Sequence, residues 1–141
     1  MRNHQKGFTL IELLIACAIV AILGAIVVGQ MGQQIMLAHE TAATQEIRAI
    51  HTGEAQYFAQ FGKFDGLVVL GQAKLIPENL ASGKKSGYLI EVGVTADGYA
   101  VTAVPQKFGS SGRRSFYSDQ TLVIRASWTT QAANAGSPPV E

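Results

Sequence analysis

Hydrophobic and polar positions divide this chain into stretches of different periodicity. From Gly7 to Val28 the sequence GFTLIELLIACAIVAILGAIVV is apolar almost throughout, broken by Thr9 and by one carboxylate, Glu12. Phe8 to Val28 is 21 residues, and at roughly 1.5 Å per residue a helix of that length spans about 31 Å, the thickness of a bilayer's hydrocarbon core. From Gln30 to Phe61 there is no proline, and Gln33, Gln34, His39, Glu40, Thr44, Gln45, Arg48 and Gln56 give a solvent-facing composition. Met36, Ala43, Ile47, Ile50, Phe58 and Phe61 recur at helical spacings and mark one apolar face, which Glu54 interrupts. The pattern predicts one helix from Phe8 to about Phe61, roughly 80 Å long, with residues 8–29 as its hydrophobic part and 30–61 as an amphipathic continuation.

Beyond Phe61 the periodicity changes again. Gly62, Asp65 and Gly66 signal a turn, Leu67 to Leu75 a short helix stopped near Pro77. Tyr57, Phe58, Phe61 and Phe64 are expected in the core under this connection. Tyr88–Thr95 and Gly98–Val104 read as strands joined through Ala96, Asp97 and Gly98. After a glycine and serine loop, Phe108–Gly112, further strands are expected at Ser115–Tyr117 and, past a turn at Ser118–Gln120, at Thr121–Arg125. The expected fold is α+β: a long N-terminal helix whose second half packs on a small antiparallel sheet of about four strands. Residues 62–128 form the globular head, and 129–141, small, polar and proline-containing, a flexible tail.

Charge adds little to this picture. Formal net charge is +1, and setting aside Arg2 and Lys6 leaves 9 basic against 10 acidic residues, a net of −1. No bulk attraction to nucleic acid or anionic lipid follows from that balance. Cys17, the single cysteine, lies inside the apolar run, so there is no disulfide framework. Gly24, Gly29 and Gly32 soften the helix or let membrane helices approach closely.

The chemistry concentrates at the start. Residues 1–7, MRNHQKG, form a short basic leader that the positive-inside rule keeps cytoplasmic. The apolar run is too long for an ordinary secretory signal. Leu14, Ile15, Ala16 and Cys17 have the form of a lipobox, but the run continues apolar to Val28. A plain membrane anchor leaves Glu12 unexplained: an ionised carboxylate at a bilayer's centre costs about 2.5–3.5 kcal/mol on insertion scales and less toward the interface. A partner for Glu12 is therefore expected.

Lys6, Gly7, Phe8, Thr9, Leu10, Ile11 and Glu12 closely resemble the processing site of type IV prepilins and type II secretion pseudopilins. The resemblance implies cleavage between Gly7 and Phe8 by a membrane prepilin peptidase, which also N-methylates Phe8. It implies that Glu12 pairs with the new Phe8 amine of a neighbouring subunit, although Phe8 and Glu12 are also one helical turn apart within the chain. The stretch GYAVTAVPQKFGSSGRRSFYSDQTLVIRAS looks like the sheet region of pilins that lack a C-terminal disulfide, and Gly29 stands where many pilins carry proline. The function so implied is that of a structural pilin: an inner-membrane precursor, then an extracellular filament of identical subunits built by the membrane assembly machinery, serving motility or adhesion. A pseudopilin or minor pilin is the alternative, and a major pseudopilin would be expected to show a carboxylate-rich calcium loop.

Catalytic, cofactor and metal constellations are not expected. His39 and His51 are twelve positions apart, too far to chelate together, and read as solvated. FGSSG does not match a phosphate-cradling pattern. Asp119 has too few neighbouring oxygen ligands for calcium. Lys84 with Lys85, and Arg113 with Arg114, form two basic pairs on expected loops. Repeated along a filament they could contact DNA, an acidic surface or a neighbouring subunit.

Overall fold

The computed structural model describes residues 7–140; the leader expected at 1–7 lies outside the described residues except for Gly7. By its internal contacts the chain forms two units, Met1–Gln34 and Ile35–Glu141. Helix α1, Leu10–Phe61, contributes to both. No single helix among the described residues is long and apolar enough to cross a membrane, whereas Leu10–Ile26 joined to Met31–Phe61 is, by length and composition.

In the second unit α1 buries a stripe that alternates steps of four and three: Met36, Glu40, Ala43, Ile47, Ile50, Glu54 and Tyr57. Two of these seven are glutamates, and Glu46 and His51 lie buried alongside them. The expected face is right from Met36 to Ile50 and then departs. Tyr57 takes the inward position, while Phe58 and Phe61 are about half exposed, at 47% and 57%. They still pack into an aromatic cluster, Phe58 stacked on Phe64 at 4.8 Å and Phe61 tilted against Tyr57 at 4.5 Å between ring centroids.

The sheet has five strands: β1 Lys84–Lys85, β2 Tyr88–Thr95, β3 Gly98–Pro105, β4 Ser115–Asp119 and β5 Arg125–Ser127. They form an antiparallel meander in sequence order. Alternation places Tyr88 and Ile90 of β2, Tyr99, Val101 and Ala103 of β3, and Phe116 of β4 on the inner face. There they share one core with Ala43, Ile47, Ile50 and Tyr57 of α1. The expectation of four strands is corrected in two places. Ser86 and Gly87 both have positive φ, 50° and 75°, the two-residue turn that suits a hairpin, so Lys84–Lys85 pairs back on Tyr88–Leu89. The strand expected at Thr121–Arg125 begins only at Arg125. Asp119 Oδ1 accepts the Thr121 N–H at 2.9 Å and also its hydroxyl, and Leu122 has φ 65°, so the chain is still turning there.

Helix α2, Leu67–Gln72, ends earlier than the expected Leu75. Leu75 N–H donates to Leu70 O at 3.0 Å and Lys74 N–H to Gly71 O at 3.0 Å, with Lys74 at φ 57°. This is a Schellman end with lysine where glycine is usual, closed by apolar Leu70 and Leu75. A further short helix, α3 Glu78–Ala81, follows Pro77. A Cβ on Gly71 would overlap Ala81 Cβ, a short side chain that cannot move without its backbone. Gly71→Ala is expected to cost about 1–3 kcal/mol as α3 is pushed away. A lowered urea midpoint of the detergent-solubilised chain checks this, and an unchanged midpoint contradicts the close approach.

Residues 129–140, expected as a flexible tail, are bonded to the sheet. Ala126 N–H donates to Pro138 O at 2.9 Å and Val140 N–H to Ile124 O at 2.8 Å. Ser115 Oγ accepts from the Ala133 N–H at 2.8 Å and donates to Gln131 O at 3.1 Å. Polar composition suggested solvent, but these backbone groups find partners on β4 and β5.

Candidate functional site

The first turn of α1 is organised by two side chains. Glu12 N–H donates to Thr9 Oγ1 at 3.3 Å, and Glu12 Oε2 accepts the Thr9 N–H at 2.9 Å and the Thr9 hydroxyl at 2.7 Å. This is a capping box, with Thr9 as N-cap and Glu12 three residues on, satisfying donors that a helix start leaves open. A carboxylate in the first turn also faces the positive end of the helix dipole. Among the described residues, then, the bonds that Glu12 makes go to Thr9 and not to Phe8.

Gly7 and Phe8 precede the helix in non-helical backbone. Nothing lies within 4 Å of a Cβ built on Gly7, and Phe8 is 83% exposed. Along Leu10–Ile26 every side chain is exposed, including Leu13, Leu14, Ile15, Ile19, Ile22 and Leu23. A helix that is apolar on all sides is stable only when lipid or other helices surround it. Glu12 thus sits, capped but reachable, at the start of an apolar rod that nothing in its own unit covers.

The expected basic pairs are divided by the fold. Arg114 Nε donates to Glu40 Oε2 at 2.8 Å. Its guanidinium lies over the rings of Phe116 and Trp128, at 5.4 and 4.9 Å from their centroids. Arg113 contributes its backbone N–H to Glu40 Oε1 at 2.8 Å while its side chain is exposed. Lys85 Nζ lies 3.8 Å from Glu46 Oε1, and Lys84 is exposed. Arg114 and Lys85 are thereby turned toward helix carboxylates, and Arg113 and Lys84 toward solvent.

Sequence reasoning missed the buried polar groups of α1. Glu40 holds the β3–β4 loop, Glu46 holds the β1–β2 turn through Ser86 Oγ at 2.8 Å, and Glu54 Oε2 accepts the Asp65 N–H at 3.3 Å. The signal was present in their spacing, because Glu40 and Glu54 fall on the apolar stripe. His51, expected to be solvated, is buried: Nδ1 meets the Tyr99 hydroxyl at 2.5 Å and Nε2 the Ser118 hydroxyl at 2.7 Å. Ser118 Oγ donates to Val123 O at 3.1 Å, so it accepts from Nε2–H and leaves Nδ1 to accept from Tyr99. Burial lowers the His51 pKa and outweighs the attraction of Asp119, while burial first, and then Glu54, raises that of Tyr99 to about 12. Ser118 is closed to solvent, and the arrangement ties helix to sheet without offering a reachable nucleophile. His39 Nδ1 lies 3.1 Å from Ser111 O on the β3–β4 loop. Among the described residues no group of three or more His, Cys, Asp or Glu side chains is placed to hold a metal ion.

No curated protein and no solved structure matches the chain. Residues 2–28 match the family model described as the prokaryotic N-terminal methylation motif, so the chain carries the processing motif that type IV pilins and type II secretion pseudopilins share.

Proposed function

We propose that this chain is the structural subunit of a type IV pilus, made as an inner-membrane precursor, cleaved between Gly7 and Phe8, N-methylated at Phe8 and polymerised with identical subunits. The observation that carries this reading is Glu12, a carboxylate at the start of an apolar helix whose side chains are exposed on every side. An acidic group there needs a cation from elsewhere, and cleavage would create one at Phe8. On this reading residues 1–7 are the leader, 8–29 the membrane and then filament-core helix, and 30–61 the continuation that carries the head. The assembly machinery of the inner membrane supplies the work, and of the two basic pairs Lys84 and Arg113 are the exposed members available to a neighbour or to DNA.

Intact-mass measurement of the protein from its native membrane is expected to show loss of Met1 to Gly7 and gain of one methyl group on Phe8. Gly7→Val is expected to accumulate full-length precursor, because a branched side chain occupies the position next to the scissile bond. Processing of that variant at the parental rate contradicts the assigned site, and a diacylated Cys17 in the mature protein contradicts the class. Imaging of cells then separates the two filament readings: long surface filaments lost on deletion support the pilin, whereas short periplasmic structures with lost protein secretion support the pseudopilin.

A further inference from the structure

Glu54 is completely buried on α1, and its Oε1 has no hydrogen-bond partner. Its other oxygen accepts the Asp65 N–H at 3.3 Å. The charged and titratable groups around it offer no cation. From the α1–α2 junction comes Asp65, whose carboxylate accepts the Gly66 N–H at 2.9 Å, Lys63 Nζ at 3.3 Å and the Tyr57 hydroxyl at 3.4 Å. Lys63 is itself exposed and held by Asp65. From β3 comes the Tyr99 hydroxyl, with Asp119 of β4 behind it. From α1 come Tyr57 and His51, and both ring nitrogens of His51 are engaged by Tyr99 and Ser118. Glu46, the other buried glutamate with an unpartnered oxygen, differs in having Lys85 beside it. A carboxyl buried without a cation is stable when protonated.

We propose that Glu54 is a proton-operated latch on the junction between α1 and α2: protonated, it stays buried with residues 62–66 seated over it, and ionised, its burial without a cation and the neighbouring Asp65 carboxylate drive the segment open despite the Asp65 N–H. The segment is suited to hinge, because Gly62 enters it at φ 68°. Phe64 is its apolar anchor, packed on Phe58 at 4.8 Å and on Tyr99 at 4.9 Å between centroids. Release therefore frees Phe64 and uncovers the aromatic cluster.

The direction follows from the competing influences on Glu54. Burial raises its pKa, the Asp65 N–H lowers it, the Asp65 carboxylate raises it again, and the balance is a rise from 4.5 to about 7. The closed state binds the proton more tightly than the open one, so opening is independent of pH below about 4.5. Between about 4.5 and 7 it grows by up to about tenfold per pH unit, and it levels off above 7.

Hydrogen exchange of the full chain in detergent, read by mass spectrometry between pH 5 and 8 and corrected for intrinsic exchange, tests this. The amides of residues 62–66 are expected to lose protection by up to about tenfold per unit up to about pH 7, while those of Val101 and Ala103 on β3 stay constant. Glu54→Gln keeps the shape and the acceptor and is expected to stay closed across the range. In Asp65→Asn, which removes the adjacent negative charge, the transition should end at lower pH. A flat parental profile, an unchanged profile in both variants, or equal loss of protection on β3 overturns the proposal.

Discussion

Cells that carry Glu12→Val in place of the parental chain are expected to process the protein and assemble no filaments. On the proposed function, processing would act at the Gly7–Phe8 bond, which lies in open, non-helical backbone that Glu12 does not touch. Assembly is different. With valine, the Phe8 ammonium created by cleavage would enter an apolar environment without a counter-charge, and one uncompensated buried ion costs several kcal/mol. Glu12 also caps its own helix through Thr9, so loss of filaments could follow either from a weakened helix start or from a missing charge. Glu12→Gln separates the two. Glutamine serves at this position of a capping box but carries no charge, so it should be cleaved, remain helical and still fail to assemble. The checks are the mass of the mature chain, helicity by circular dichroism and electron microscopy of sheared cell-surface material. Normal filaments from either variant would remove Glu12 from its assigned role.

Arg114→Ala and Arg113→Ala, neighbours in sequence, are expected to behave differently. Glu40 has little access to water, its side chain being 7% exposed, and among the described residues Arg114 alone places a cation within ion-pair distance of it. Removing Arg114 leaves a buried carboxylate with the Arg113 N–H alone and takes away the guanidinium over Phe116 and Trp128. A loss of about 2–3 kcal/mol in unfolding free energy is expected. Arg113→Ala retains the backbone N–H that bonds Glu40, and a change within about 0.5 kcal/mol is expected, as for other surface sites. The single tryptophan, Trp128, lies against Arg114, so its fluorescence during urea unfolding reports both variants. Equal effects would mean that the Glu40 pair contributes nothing specific.

Much of the fold could be read from the sequence because it follows simple periodicities. The apolar run and its stripe extend α1 to Phe61, and alternation with the Ala96–Asp97 turn locates β2 and β3 to within a residue. What was hidden depends on partners distant in the chain. Hydropathy assigns Glu40 and His51 to solvent, leaves Glu54 as an interruption of the apolar face and says nothing particular of Glu46, and only the folded chain brings Arg114, Tyr99, Asp65 and Ser86 to meet them. The β1–β2 hairpin and the end of α2 place Ser86 and Lys74 in a backbone conformation usually marked by glycine. At the candidate site, Glu12 stands out by its charge alone. Its bond to Thr9 was available as the spacing Thr-x-x-Glu, which the apolar surroundings make easy to overlook.

The bonded C-terminal segment has a consequence for how copies of this chain can meet. Backbone groups of β5 are paired by Pro138 and by an Arg125–Pro139 bridge, and at the opposite margin β1 is only two residues long. The β5 margin therefore presents no long row of open backbone donors and acceptors, and proline there cannot donate at all, whereas β1 covers only Tyr88 and Leu89 of β2 and leaves the edge toward Thr95 open. The β5 margin is thereby protected against strand-to-strand stacking into amyloid-like ribbons. On the proposed function, a contact between copies at that margin would be specified by side chains, and the long apolar surface of residues 10–26 is where the greatest number of them stand exposed.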